Sequence, residues 1–287
     1  MKEKQKIEFT KMHGCGNDYV YIDGGRFTVP AKQKPDIVRW LSNRNFGIGS
    51  DGVIFINPVV DESADFEMEM WNADGTRSEM CGNGIRCVGK YVYDKGLTDK
   101  EYVAVVSAGQ VKYLDFTVEN DQVVQVKVNM GRPCLEASAV PVVSANTQVI
   151  DEEIIVEDKV YRMTCVSMGN PHAVIFMDNV ADLDMAAIGP HFENHTRFPR
   201  RTNTEFVRVI DRQTVEMRVW ERGTGETLAC GTGACATAVA AILNGYTDNK
   251  VTVKLLGGDL QIEWDREADL VYMTGPAVIV FEGIIEV

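Results

Sequence analysis

The sequence predicts an α/β protein with mixed sheets, built as two similar domains. Strand-like and helix-like runs alternate along the whole chain, a Cys-Gly-x-Gly block occurs twice, and a strand-like run ends in turn chemistry near the middle. The β-branched or alternating runs Val103–Val106, Val123–Val128, Val140–Val143, Phe206–Ile210, Thr214–Val219 and Val251–Leu255 read as strands. Two helices are expected directly after glycine-rich turns. One starts near Gly82 and carries Ile85, Val88 and Tyr91; the other starts near Gly231 and runs to Leu243. The second is alanine-rich and apolar on nearly every face, the pattern of a helix buried all round inside a sheet. The first is similar but keeps Arg86 and Lys90. Amphipathic helices are expected over Asp36–Asn43 and, shorter, over Asp184–Ile188.

The duplication is read from three blocks in the same order. Met80-Cys-Gly-Asn-Gly84 matches Ala229-Cys-Gly-Thr-Gly233, and 230 − 81 gives an offset of 149. Gly16-Asn17 before the apolar run Tyr19–Ile22 matches Gly169-Asn170 before Ala173–Phe176, where 170 − 17 gives 153. Asn72 stands nine residues before Cys81, and Glu221 nine residues before Cys230. Chance produces one such match far more readily than three. The break falls near Gly131-Arg132-Pro133, so the expected domains are residues 1–130 and 131–275, with a strand over about 276–287 returning to the first. Two such copies packed about a pseudo-twofold axis would each bring one Cys-Gly-x-Gly turn to a shared cleft. That is the geometry a stereochemical inversion needs.

Composition excludes several function classes. A chain of 287 residues that is 45% apolar has the material for two cores, so disorder is not expected. A formal net charge of -13 argues against nucleic-acid binding and suits a small zwitterionic or cationic amino acid. No apolar run has signal-peptide or membrane-span length, so a cytoplasmic protein without membrane association is expected. The seven cysteines include no C-x-x-C pair, and His13, His172, His191 and His195 do not complete a zinc spacing. Reduced thiols and no metal site are expected.

A Cys-Gly-x-Gly turn at a helix start is chemically loaded. A thiol has an ordinary pKa of about 8.5, and the unsatisfied amides and dipole of a helix N-terminus lower it. The same amides bind a carboxylate, so one turn can hold a base and anchor an amino acid. Buried cysteines are otherwise small apolar side chains, the reading given to Cys15, Cys87, Cys134, Cys165 and Cys235. Repetition at equivalent positions singles out Cys81 and Cys230 as functional.

These residues carry a resemblance that spans nearly the whole chain. Lys11-Met-His-Gly-Cys-Gly-Asn-Asp-Tyr19, Asn72-Ala-Asp-Gly75, Glu79-Met-Cys-Gly-Asn-Gly-Ile-Arg-Cys87, Met168-Gly-Asn-Pro-His172, Arg201-Thr-Asn-Thr-Glu-Phe206 and Glu221-Arg-Gly-Thr-Gly-Glu-Thr-Leu-Ala-Cys-Gly-Thr-Gly233 resemble the motifs of the diaminopimelate epimerase family. The resemblance implies two similar α/β domains, each a curved mixed sheet around a central helix, assembled as a homodimer. It implies interconversion of LL- and meso-diaminopimelate in lysine synthesis, with Cys81 and Cys230 as the acid–base pair. Asn17, Asn72, Asn170 and Asn203, with Glu221 and Arg222, would hold the substrate's polar groups. The turns Gly82-Asn83 and Gly231-Thr232 would complete the site, and His172 and Glu221 would tune the thiols. Two departures stand out: Gly52 follows Asp51 where some members carry glutamine, and Cys15 stands where an aliphatic residue is commoner.

No cofactor is expected. Many racemases stabilise the α-carbanion with pyridoxal phosphate, but the sequence shows no convincing lysine site or phosphate cup. Donors aimed at the carboxylate then carry the load, each worth roughly 3–4 kcal/mol. Three rival readings are a proline or hydroxyproline racemase of similar fold, a redox protein that pairs Cys81 with Cys230, and a binding protein that kept only the fold. The asparagine set with Glu221 and Arg222 favours a longer, doubly zwitterionic substrate, and binding alone needs neither thiol.

Overall fold

The computed structural model describes residues 5–59, 63–78 and 81–287. Glu79 and Met80, at the head of the first cysteine motif, lie outside the described residues. The first part of the chain holds β1 (Lys6–Gly14), β2 (Asn17–Asp23), α1 (Lys34–Ser42), β3 (Gly52–Pro58), β4 (Phe66–Asn72), α2 (Gly82–Asp94), β5 (Tyr102–Ser107), β6 (Gln110–Glu119) and β7 (Gln122–Gly131). Next come β8 (Glu152–Val156), β9 (Lys159–Ser167), β10 (Pro171–Phe176), α3 (Met185–Glu193), β11 (Asn203–Asp211) and β12 (Thr214–Glu221). The last elements are β13 (Gly225–Thr227), α4 (Gly231–Leu243), β14 (Lys250–Leu255), β15 (Gly258–Asp265), β16 (Leu270–Gly275) and β17 (Val278–Glu286). The chain divides into two compact units, Met1–Val128 with Gly275–Val287, and Asn129–Thr274.

Each unit repeats one order of pairings. In the first, β1 and β2 form an antiparallel hairpin, β2 runs parallel to β3, and β4 returns antiparallel to β3. The cysteine turn and α2 follow, then β5 runs parallel to β4 and opens the antiparallel series β5–β6–β7. In the second unit β9, β10, β11 and β12 repeat that hairpin, parallel step and return. After α4, β14 runs parallel to β12 and opens the antiparallel series β14–β15–β16. The outer partner of the first hairpin is β17, from the end of the chain; that of the second is β8.

The helices sort by composition. The alanine-rich α4 buries every residue from Gly231 to Ile242 except Thr232, and α2 buries Gly82 through Val92. In α2, a Cβ at Gly89 would meet Phe116 and Leu114 of β6 within 2.9 Å, so the strand packs directly on the helix backbone. By contrast α1 and α3 bury only one face. In the first unit Val38 and Leu41 pack with Ile7, Val20, Val53 and Phe55; in the second Met185 and Phe192 pack with Ile175 and Phe206. The second of these, α3, is longer than the expected Asp184–Ile188. Asp184 is its N-cap and accepts from the Ala187 amide, and the helix continues through Pro190 to Glu193.

One expected strand is not a strand. Val140–Val143 forms a turn in which the Val140 amide donates to Glu136 O and the Val142 amide to Ala137 O. Val140 and Val142 are buried in the second unit's core, but Pro141 between them has no N–H for a ladder. Burial of alternate residues there served packing rather than pairing. Among the described residues no helix is long and apolar enough to cross a membrane.

Candidate active site

Both motif cysteines take the same local geometry. Cys81 (φ -133°, ψ 115°) caps α2 and Cys230 (φ -119°, ψ 109°) caps α4, each in extended backbone. The sulfur replaces the usual capping oxygen: Cys81 Sγ accepts from the Gly84 amide at 3.3 Å, and Cys230 Sγ from the Gly233 amide at 3.4 Å. The last glycine of each motif is a matter of space. A Cβ at Gly84 would lie 2.8 Å from Ile54 Cδ1, and one at Gly233 would lie 2.7 Å from Glu205 Oε1.

In the first unit, the β1–β2 turn carries Cys15 (φ 53°) and Gly16 (φ 83°) and delivers Asn17 to the cysteine. The Cys81 thiol donates to Asn17 Oδ1 at 3.2 Å. Asn83 Nδ2 donates to the same oxygen at 3.4 Å, and Asn17 Nδ2 donates to Asp51 Oδ2 at 2.8 Å. Behind the turn, the fully buried Arg86 donates to Gly82 O, Asn83 Oδ1 and Pro276 O and lies 3.7 Å from Cys15 Sγ. Across the sheet, Tyr19, Gly52 and Asn72 form one row of paired residues on β2, β3 and β4. Tyr19 is buried with Asn17 and Cys81 beside its phenol, and burial pushes that phenol above its ordinary range. The Asn72 side chain donates to Thr76 Oγ1 at 3.0 Å within its turn.

The row also explains one departure from the family's pattern. A Cβ at Gly52 would stand 2.0 Å from the Trp71 carbonyl oxygen and 2.9 Å from Tyr19 Cε1. We expect Gly52→Gln to destabilise the protein by about 1–3 kcal/mol, the cost of overpacking. Chemical denaturation checks this, and an unchanged midpoint would refute it.

In the second unit, Asn170 follows Gly169 (φ 100°) in the β9–β10 turn. Asn170 Nδ2 donates to Thr232 Oγ1 at 3.3 Å, and Thr232 Oγ1 lies 3.5 Å from Cys230 Sγ. His172, fully buried, sits with Nε2 3.0 Å from Asn170 Oδ1 and Nδ1 2.7 Å from Glu205 Oε1. Beside it on β11, Asn203 Oδ1 accepts from the Arg222 amide at 2.8 Å, and Arg222 reaches back to Arg200 O. Glu221 ends β12 and accepts from Thr227 Oγ1.

The electrostatics of Cys230 correct a simple expectation. Helix amides were expected to lower its pKa, and the Gly233 amide and Thr232 do act that way. They are outweighed. Burial, then the Glu221 and Glu205 carboxylates, push the Cys230 thiol well above its ordinary value. Burial also raises the Glu221 carboxyl, against its Thr227 hydrogen bond and nearby His172. Removing a neighbouring negative charge favours the thiolate, so Glu221→Gln is expected to shift Cys230 alkylation to lower pH by roughly one unit. Rates of iodoacetamide labelling across pH measure it; a shift to higher pH would contradict the electrostatic reading.

The structure thus groups Asn17, Gly82 and Asn83 around Cys81, and Asn170, Glu221, Gly231 and Thr232 around Cys230. Asn72, at the end of β4, is bonded to its own turn, whereas Asn203, at the start of β11, is bonded to the Arg222 amide just beyond β12. His172 contacts Asn170 and Glu205 rather than the sulfur. Sequence reasoning passed over Tyr19, Asp51 and Glu205. Glu205 carried no signal in the sequence, because the offsets of 149 and 153 align it with Ile56 and Gly52; it is the structure that sets it under Gly233 as Ile54 is set under Gly84. Among the described residues no disulfide is formed by any of the seven cysteines, and no group of three or more His, Cys, Asp or Glu could hold a metal ion.

A sequence profile of the family described as Diaminopimelate epimerase matches residues 9–136 and 164–280. The chain is 55% identical over 281 residues to the diaminopimelate epimerase of Methanococcus maripaludis strain C6, covering 98% of this chain and 100% of that relative. This chain belongs to the diaminopimelate epimerase family. Its reaction class is therefore isomerisation. A second family member, from Agathobacter rectalis, is 53% identical over 288 residues, covering 98% of this chain and 100% of that relative. Among solved structures, a hydroxyproline epimerase from Agrobacterium vitis superposes with a TM-score of 0.70 at 14% identity, covering 100% of this chain and 94% of that one. A phenazine biosynthesis protein of the PhzF family from Enterococcus faecalis gives 0.70 at 12% identity, covering 98% and 99%. At such identities these neighbours show a shared fold, and the α/β mixed-sheet class read from the sequence is the one observed.

Proposed function

We propose that the protein interconverts LL- and meso-2,6-diaminopimelate without a cofactor, on the diaminopimelate route to lysine, using Cys81 and Cys230 as its acid–base pair. The observation that carries this reading is the pair of thiols at the same N-cap of the same buried helix in two units of one plan. One thiolate removes the α-proton, and the other thiol delivers a proton to the opposite face; the roles exchange in reverse. Such a pair works only in unlike protonation states. Burial and the Glu221 and Glu205 carboxylates favour the thiol form of Cys230, the form that delivers a proton.

The amides of the Gly82-Asn83 and Gly231-Thr232 turns receive the α-carboxylate and stabilise the charge that develops on it. Asn17, Asn72, Asn170, Asn203, Glu221 and Arg222 read the amino and carboxyl groups, where an unmatched partner is costly. His172 and Glu221 set the protonation of the site. The enzyme acts as a cytoplasmic homodimer, an oligomeric state that sedimentation checks.

Reduced, dialysed protein incubated with LL-diaminopimelate is expected to yield the meso isomer, resolved by chiral chromatography. L-Proline and 4-hydroxyproline are expected to remain unchanged. Turnover of either in place of diaminopimelate would overturn the substrate assignment in favour of a proline-type racemase.

A further inference from the structure

The two units differ at one buried position directly beneath the cysteine turns. Under Gly84 in the first unit stands Ile54, with its Cδ1 2.8 Å from where a Cβ would be; under Gly233 in the second stands Glu205, with Oε1 at 2.7 Å. Glu205 is 0% exposed. Its Oε1 meets His172 Nδ1 at 2.7 Å, and its Oε2 has no hydrogen-bond partner among the described residues. A carboxyl buried so completely costs several kcal/mol of solvation unless something offsets it, which a merely structural position would avoid by being apolar.

Hydrogen-bond inventory gives the group a task. Asn170 Nδ2 points to Thr232 Oγ1, which leaves Asn170 Oδ1 facing His172 Nε2. Both ring nitrogens therefore face oxygen, so one proton is shared between Nδ1 and Glu205 Oε1 and Nε2 carries its own. Wherever the shared proton sits, Nε2 remains a donor. That donor fixes the Asn170 amide, the amide occupies a lone pair of Thr232 Oγ1, and the hydroxyl hydrogen is left to aim at Cys230 Sγ, 3.5 Å away.

We propose that Glu205 is a positioning residue for proton transfer at Cys230, acting through the hydrogen-bonded series His172, Asn170 and Thr232. This rests on the assignment of Cys230 as an acid–base residue. The groups facing Cys230 are Glu205 from β11, Glu221 from the end of β12, and Thr232 with the Gly233 amide from α4, while His172 from β10 meets Glu205 and Asn170. The series ends on a hydroxyl that can donate to the thiolate as it forms. At the equivalent place in the first unit Ile54 offers no hydrogen-bonding group, and the Cys81 thiol is met instead by Asn17, itself bonded to Asp51.

Two substitutions isolate the series from the charge. Glu205→Gln and Glu205→Ile both remove the carboxylate, but glutamine still donates an N–H to Nδ1 and keeps Nε2 a donor. Iodoacetamide labelling of Cys230, followed by peptide mass spectrometry across pH, is expected to run about tenfold faster at a given pH in Glu205→Gln than in Glu205→Ile, the scale of one hydrogen bond. Labelling of Cys81 should agree within about twofold between the two. In a Thr232→Val background the difference at Cys230 should vanish, which a general loss of structure would not produce. Equal Cys230 profiles in the two variants, or a difference that survives Thr232→Val, would overturn the proposal. Should Glu205→Ile not fold, Glu205→Met is read in its place. Thr232→Val alone, with an unchanged Cys230 profile, would be equally fatal. Labelling needs no substrate, so absence of diaminopimelate turnover would bear on the assigned reaction and not on this series.

Discussion

Replacing either Cys81 or Cys230 by alanine is expected to lower kcat by about 10²–10⁴-fold, the range for loss of a positioned acid or base. Each half of the inversion needs both groups, so the two single variants should be similarly impaired in both directions. The fold should survive. Cys81 loses a capping acceptor for the Gly84 amide and Cys230 one for the Gly233 amide, and such a cap is worth about 1 kcal/mol. Circular dichroism melts beside steady-state turnover make the check. A folded Cys230→Ala variant with near wild-type turnover would sink the two-thiol scheme.

Arg86→Met should produce the largest loss of stability. The guanidinium is fully buried and donates to Gly82 O, Asn83 Oδ1 and Pro276 O, joining the first turn of α2 to the segment that leads into β17. Methionine fills part of the space but donates nothing. Each buried acceptor left bare costs about 1–3 kcal/mol, so a total loss of roughly 3–5 kcal/mol is expected. At about 2–4 °C per kcal/mol for a unit of this size, the melting temperature should fall by on the order of 10 °C. The Asn83 contact would loosen too, raising KM through Asn17, which shares Asn83's hydrogen bond. A melting temperature within about 2 °C of wild type would show that the buried guanidinium is not a stabilising tie.

What the sequence disclosed and what it withheld follow from the range of each signal. Helix starts at Gly82 and Gly231 were legible because a cysteine cap, glycines and an apolar run are local features, and both helices begin there. The repeated blocks were legible because both units reuse one order of strands. Val140–Val143 misled because alternation reports burial, and only the partner for a backbone N–H separates a strand from a packed turn. The role of Glu205 was invisible for the opposite reason: it depends on a 2.7 Å contact with a residue 33 positions away. The direction of the Cys230 shift also needed the structure. A helix N-terminus is visible in sequence, whereas the burial and the two carboxylates that outweigh it are not.

The two-thiol mechanism makes a prediction that no single-base mechanism shares. Reduced enzyme equilibrated in D2O is mixed with α-protiated LL-diaminopimelate, and the reaction is stopped at low conversion for NMR and mass analysis. Two thiols require the meso product to carry solvent deuterium at the inverted carbon, delivered by the second sulfur, while the remaining LL substrate keeps its α-protons. Meso product that retains the substrate's own α-proton would mean one group removed and returned it, and the pairing of Cys81 with Cys230 would be wrong.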